Sequence, residues 1–282
     1  MNTAQLSITV VLYNTAIEKL KKNIYHTTIA VSSAQKAGLL SSCALYFIDN
    51  ASLPIHSNDY KNFIASLPKE TTSAITIITI KSDYNRGHGK GHNLAIKQIN
   101  SDYHLILNPD VYMDNDALIH AISYMNEHPN AGLLSPAIHG ENGKRHYLCR
   151  QIPNFFDITL RILPVHFIKK IFLKRMQAYE MRDKNYNEII NNIPSLSGCY
   201  MFVRTSILKK IDGFDPRFFL YYDDTDLTRK ILNVSETAYV PSVKIIHEWQ
   251  AGSHHNYKLL LLHVHDAIRY FKKWGGWFKA QN

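Results

Sequence analysis

Apolar positions in the first part of this chain follow two alternating rhythms. Short apolar runs at "LSITVVLYN" (6–14), "CALYFIDN" (43–50), "ITIITIKSD" (75–83) and "YHLILNPD" (103–110) read as strands. Segments with helical apolar spacing predict helices over 16–37, 91–100 and 114–127. Strand and helix in turn is the pattern of a mostly parallel, Rossmann-like sheet with crossover helices, so the expected class is α/β.

Each of the four strands stops on polar residues: Tyr13 and Asn14, Asp49 and Asn50, Ser82 and Asp83, and Asn108 with Asp110. One such pair is turn chemistry, but four at the carboxyl ends of parallel strands predict a ligand crevice along that edge. In "LNPD", Pro109 removes a ladder donor and turns the preceding residue away from the helical region. The strand must end there, leaving Asp110 at the edge. After the third strand, "NRGHGKGHN" (85–93) sets Gly87, Gly89 and Gly91 among polar and basic residues. It reads either as a flexible loop or as backbone that can approach a phosphate ahead of a helix N-terminus.

The second half is less regular. "FFDITLRILPVHFIKKIFLKRMQ" (155–177) suits a packed surface helix and a lipid interface equally. "SLSGCYMFVR" (195–204) returns to strand character, and a short capped helix follows it. In "DPRFFLYYDDTDLTRKI" (215–231), Asp223, Asp224 and Asp226 open a helix predicted to begin near 223. Acids there complement the helix dipole, and the apolar run Phe218 to Tyr222 beside them can raise a carboxylate toward general-base work. "AYVPSVKIIHEW" ends a strand at His247, a structural residue unless a metal meets it. In "YKLLLLHVHDAIRYFKKW", Tyr257, Leu260, Leu261, Val264, Ile268 and Phe271 make the packing face of an amphipathic helix. Lys258, Asp266, Arg269, Lys272 and Lys273 fall largely on the other side. The tail interleaves Lys272, Lys273 and Lys279 with Trp274, Trp277 and Phe278, the composition of a membrane-interface anchor.

Composition narrows the partners. With 282 residues, 45% of them hydrophobic, the chain has ample material for a core. Its net charge of +9 suits nucleic acid, phosphorylated small molecules or an acidic lipid surface. No zinc-finger, RNP or basic-zipper signature accompanies that charge, so nucleic acid is not expected. Cys43, Cys149 and Cys199 are odd in number and widely spaced, which points away from disulfides or a zinc site and toward a reducing compartment. The start "MNTAQLSITVVLYN" carries no basic leader, and no segment reaches the roughly 18 apolar residues of a membrane span. The expected location is cytoplasmic, including a peripheral place on the inner face of the membrane.

As an ordered set, "VVLYN", "IDNAS", "NRGHGKGHN", "LNPD", "SGCYMFVR", "GFDPRFFLYYDDTDL" and "HEW" resemble the family 2 inverting glycosyltransferases of the GT-A fold. Within them the chain is similar to the bacterial rhamnosyltransferases that extend lipid-linked polysaccharides such as O-antigen. The resemblance covers roughly residues 6–255. It implies a GT-A domain over 1–255, with a nucleotide-sugar half (1–113) and an acceptor half (114–255), followed by the helix and tail of 256–282. The family's D-x-D motif stands here as Asn108-Pro109-Asp110, the form common in the rhamnosyl branch, so Asp110 is implied to hold Mg²⁺ or Mn²⁺ with His247 as a second ligand. The acidic motif falls on Asp223 and Asp224, which makes Asp224 the implied catalytic base. Asp49, Asn50, Tyr13 and Asn14 are implied to bind the nucleoside, with Arg86, Gly87 and Asn93 lining base and ribose. Gly198, Cys199 and Tyr222 fall where related proteins shape the acceptor side.

The implied reaction moves rhamnose from dTDP-rhamnose to a lipid-linked saccharide at an anionic membrane surface. The residues leave three other readings open. These are the same chemistry with a UDP-sugar carrying galactose, glucose or N-acetylglucosamine, a nucleotidyltransferase, and a non-catalytic sugar-nucleotide-binding subunit.

Overall fold

Four parallel strands, β1 (Ala4–Leu12), β2 (Leu40–Asp49), β3 (Thr76–Lys81) and β4 (Tyr103–Leu107), lie side by side in the order β3-β2-β1-β4. The computed structural model to which they belong describes residues 3–162, 170–248, 257–275 and 277. The register sets Leu12 opposite Asp49 and Asp49 opposite Lys81, so these strands finish together and their polar successors share one edge. Crossovers are α1 (Ile17–Lys36), α2 (Pro54–Ala65) with α3 (Lys69–Ala74), and α4 (His88–Ile96). The α/β expectation holds. Helix α4 starts at His88 instead of 91, directly after Gly87, whose φ of 84° ends the preceding loop.

The remaining elements are β5 (Val111–Met113), α5 (Ala117–Glu127), β6 (Ala131–His139), β7 (Arg145–His146), α6 (Phe155–Ile162), α7 (Leu173–Tyr179) and β8 (Ile190–Asn191). They continue with β9 (Tyr200–Arg204), α8 (Thr205–Lys210), α9 (Asp223–Leu232), β10 (Glu236–His247) and α10 (Tyr257–Trp274). Among the described residues the sheet runs β3-β2-β1-β4-β9-β6-β10-β5, with β9 antiparallel to both β4 and β6. The helix predicted from 114 begins at Ala117, because Val111–Met113 is taken into the sheet against β10. That pairing sets Val111 opposite His247 and so brings the end of β10 to Asp110.

Central strand β6 escapes the sequence reading because Pro136 interrupts it, and proline normally argues against an interior strand. Strand β10 accommodates it with a register jump, from Val240 opposite Pro136 to Lys244 opposite Ala137. One apolar layer joins Leu20, Ile24 and Leu118 of α1 and α5 to the sheet, and the other joins Ile96, Leu208, Leu227 and Ile231 of α4, α8 and α9. A third, smaller cluster joins Phe218 and Tyr222 to Tyr270 and Phe271 of α10.

Helix α10 meets the domain with a different face from the one its apolar spacing suggests. Tyr257, Leu261, Val264 and Ile268 are exposed, while Asp266, Ala267, Tyr270 and Phe271 are buried. The polar residues on the inner side find partners there, so burying them carries little penalty. Asp266 accepts backbone N–H bonds from Phe219, Leu220 and Tyr221 at 3.0–3.1 Å. Lys273 contacts Asp215 at 2.7 Å and Asp226 at 2.6 Å, and Trp274 donates to Asp226 at 2.6 Å. Asp226 therefore ties α9 to α10 rather than simply stabilising the helix start. Trp277 leans on Phe271, so three of the residues expected to anchor in lipid face the protein. Phe278 and Lys279 lie outside the described residues.

Candidate active site

The donor-side residues sit where the four parallel strands end. Asn14 adopts a left-handed conformation (φ 51°), accepts from Leu53 N at 2.8 Å and leaves the neighbouring Tyr13 about half exposed. Asp49 accepts from Ser52 N at 2.9 Å and from Ser57 Oγ at 2.6 Å. A cavity of about 130 Å³ opens beside it, lined by Tyr60, Lys61 and Lys81 among others. Asn50 donates to Asn85 Oδ1 and Gly87 O and accepts from Arg86 N, which holds the glycine loop in place. Arg86 stacks on Tyr84, 4.3 Å from the ring centre.

The glycine spacing has a packing cause. A Cβ at Gly87 would stand 2.1 Å from Phe219 O, one at Gly89 2.8 Å from the Phe214 ring, and one at Gly91 2.9 Å from Val11. These glycines let three other segments come close, and the phosphate reading is not needed to explain them. Asn93, expected to line the ribose, has a structural task as well. Its amide donates to Phe214 O and accepts from Phe214 N, so both ends pin the segment before the acidic loop.

The candidate carboxylates come from two directions. Asp110 follows β4, its Oδ1 3.4 Å from His247 Nε2 at the end of β10 and its Oδ2 3.8 Å from Lys19 of α1. Among the described residues the buried His247 Nδ1 has no hydrogen-bond partner. One carboxylate and one imidazole suit a six-coordinate Mg²⁺ or Mn²⁺ that takes its other ligands from water and a diphosphate. Among the described residues no group of three or more His, Cys, Asp or Glu side chains could hold a metal alone.

From the other direction, α9 presents Asp223 and Asp224. Asp224 accepts from Gly198 N at 3.0 Å and Thr225 N at 2.7 Å. Burial, and then the charge of Asp223, hold its carboxyl above the ordinary carboxylate range. Gly198 packs closely here, since a Cβ would stand 3.1 Å from Asp224 Cβ and 3.4 Å from His88 Cε1. The next residue, the buried Cys199, receives Asn108 N on its carbonyl, so the start of β9 spans from Asp224 to the Asp110 loop.

His88 completes the link and was not among the residues read from sequence. Its Nδ1 lies 2.7 Å from Asp223 Oδ2 and its Nε2 3.3 Å from Asn108 Oδ1. Burial works against a charged His88, but Asp223 outweighs it and raises the imidazole above its ordinary value. A histidine at the opening of the glycine-flanked helix was the available signal. Tyr222, expected on the acceptor side, has its ring buried against Tyr270 and its hydroxyl 3.3 Å from His263 Nε2 of α10. Its φ of 63° turns the chain into α9.

Comparison with known proteins gives a family and a fold. The family model described as glycosyl transferase family 2 matches residues 44–212. The chain is 25% identical over 213 residues to an N-acetylglucosaminyl-diphospho-decaprenol L-rhamnosyltransferase of Mycobacterium tuberculosis, over 70% of this chain and 67% of that protein. It is 26% identical over 202 residues to rhamnosyltransferase WbbL of Escherichia coli K12, over 66% of this chain and 70% of that one. Mannosyltransferase PcManGT from Pyrobaculum calidifontis, solved with GDP-Man and Mn²⁺, matches with a TM-score of 0.61 at 16% identity, over 95% of this chain and 65% of that one. That likeness establishes the GT-A fold.

Proposed function

Because this chain belongs to glycosyl transferase family 2, we propose that it transfers a sugar, with inversion, from a nucleotide diphosphate donor to a hydroxyl of a lipid-linked saccharide. The observation that carries this reading is that two carboxylates from different elements are tied into one hydrogen-bonded cluster. Asp110 and His247 stand on one side and Asp224 on the other, with Gly198, Cys199 and His88 between them.

Asp224 takes the proton of the acceptor hydroxyl while that oxygen attacks the anomeric carbon opposite the diphosphate. The new C–O bond forms as the bond to the phosphate oxygen breaks, and the electron pair leaves with the nucleotide diphosphate. A divalent cation at Asp110 and His247 would neutralise charge on that leaving group. Lys19 adds positive charge at the same place. Asp223 is engaged by His88, which favours Asp224 as the free base. The nucleoside lies beside Asp49 and Tyr13.

The donor in this reading is dTDP-rhamnose, supported by the two rhamnosyltransferase relatives and by Asn108-Pro109-Asp110. The enzyme works at a membrane surface because its acceptor is lipid-linked. A sugar-nucleotide panel with a lipid-linked acceptor analogue and Mn²⁺ or Mg²⁺ tests the proposal. Turnover with dTDP-rhamnose is expected. Turnover with a UDP-sugar alone overturns the donor, and no transfer from any nucleotide sugar overturns the reaction.

A further inference from the structure

Helix α10 turns its polar residues inward, and this leaves an apolar row outside. Tyr257, Leu261, Val264 and Ile268 are 73%, 51%, 41% and 38% exposed. Their spacing of four, three and four residues puts them on one stripe of the helix. Phe155 of α6 leans on Phe271 of α10 and remains 46% exposed. A contiguous apolar surface on a folded chain marks a place where something binds.

The margin of the stripe identifies the partner. Lys258, His265 and Lys272 are exposed along one side of it, and the one acid of α10, Asp266, is fully buried on the inner face. Two copies of the chain packing through this stripe would bring like-charged lysine margins together. An anionic bilayer instead offers acyl chains to the apolar row and phosphates to the lysines. No described helix is long and apolar enough to cross a membrane, so the contact is lateral.

We propose that the outer face of α10 lies in the headgroup layer of an anionic membrane, with Tyr257, Leu261, Val264 and Ile268 toward the acyl chains. This deepens the function proposed above and rests on its lipid-linked acceptor. The inner face of the same helix holds the Phe219–Tyr221 backbone through Asp266. The acidic loop therefore stands about one helix diameter, ~10 Å, from the bilayer, the depth at which a headgroup-linked saccharide presents its hydroxyls. The docking element is the outer side of α10, and the tryptophan-lysine tail is not required for it.

The test is sedimentation of the full chain with phosphatidylcholine vesicles, with and without phosphatidylglycerol, in the absence of donor and acceptor. Wild type is expected to sediment with the anionic vesicles and to be released by salt. The triple variant Leu261→Gln, Val264→Gln, Ile268→Gln is expected to lose roughly tenfold or more in partitioning, since it removes apolar surface without touching the inner face. The double variant Lys258→Glu, Lys272→Glu is expected to lose binding to anionic vesicles only. Sedimentation of the triple variant at the wild-type level overturns the proposal. So does a wild-type dimer in light scattering that the triple variant dissolves without any change on vesicles. Failure of the transfer reading leaves this result standing, and failure here leaves transfer to a water-soluble acceptor standing.

Discussion

The carboxyl edge of the parallel strands and the acidic loop are linked through His88 and Gly198 but are built in different ways. On the strand edge, Asn14 is held by Leu53, Asp49 by Ser52 and Ser57, and Asn50 by Asn85 and Arg86, all within the first three strands and their turns. The acidic loop is held from far along the chain. Asp266 binds its backbone, and Lys273 and Trp274 bind Asp215 and Asp226. The turns at Asn14, Asp49 and Asn50 are thus assembled locally, whereas the loop before Asp224 depends on a helix that comes later. Damage to α10 should therefore separate the two halves of the reaction.

Five variants would break or sharpen that contrast, and the first carries the largest effect. Asp224→Asn keeps the shape and removes the basic lone pair, so transfer should fall roughly 10²-fold or more while donor affinity stays near wild type. The pH profile sharpens this. A base must be deprotonated, and burial with Asp223 raises Asp224, so the acid limb of the rate should lie above the ordinary carboxylate value of about 4. Asp223→Asn removes the like charge and should move that limb to lower pH, with Arg150 still opposing protonation.

Asp266→Ala leaves three backbone N–H groups without their acceptor and should cost about 3 kcal/mol of stability in thermal unfolding. The surviving folded protein should bind nucleotide diphosphate normally and transfer poorly. Equal loss of both would erase the contrast between the two sides. Asp110→Ala is the donor-side counterpart. It should weaken nucleotide diphosphate binding in Mn²⁺ by roughly tenfold to a hundredfold and change it little in EDTA, as calorimetry can read. His88→Gln carries the smallest effect, a roughly fivefold loss of transfer from one broken link between Asn108 and Asp223. Unchanged kinetics in His88→Gln would mean that the two sides are joined through Gly198 alone.

What was legible in the sequence follows the same division. The parallel strands and their polar ends could be read because apolar runs and Asx turns are local signals. Strand β6 was hidden by Pro136, which is tolerated only because β10 jumps register beside it. The roles of His88, Asn93 and Tyr222 depend on which distant residue each one meets. Helix α10 was recognised as a helix, but its apolar stripe pointed to the wrong inner face. Asp266 reads as a solvent-facing acid until the three N–H groups of residues 219–221 are brought against it.

Strand β9 has a consequence for how the chain folds. It lies antiparallel between β4 and β6, with Leu107 opposite Tyr200 and Leu134 opposite Phe202. During synthesis β4 has one open side until residues 200–204 emerge, although every residue of that strand is buried in the finished sheet. An unpaired apolar strand edge is a template for pairing with another chain, and closing so long a loop is slow. The growing chain must hold a half-sheet open until its late strand arrives, so the step most exposed to aggregation precedes the closing of the catalytic crevice.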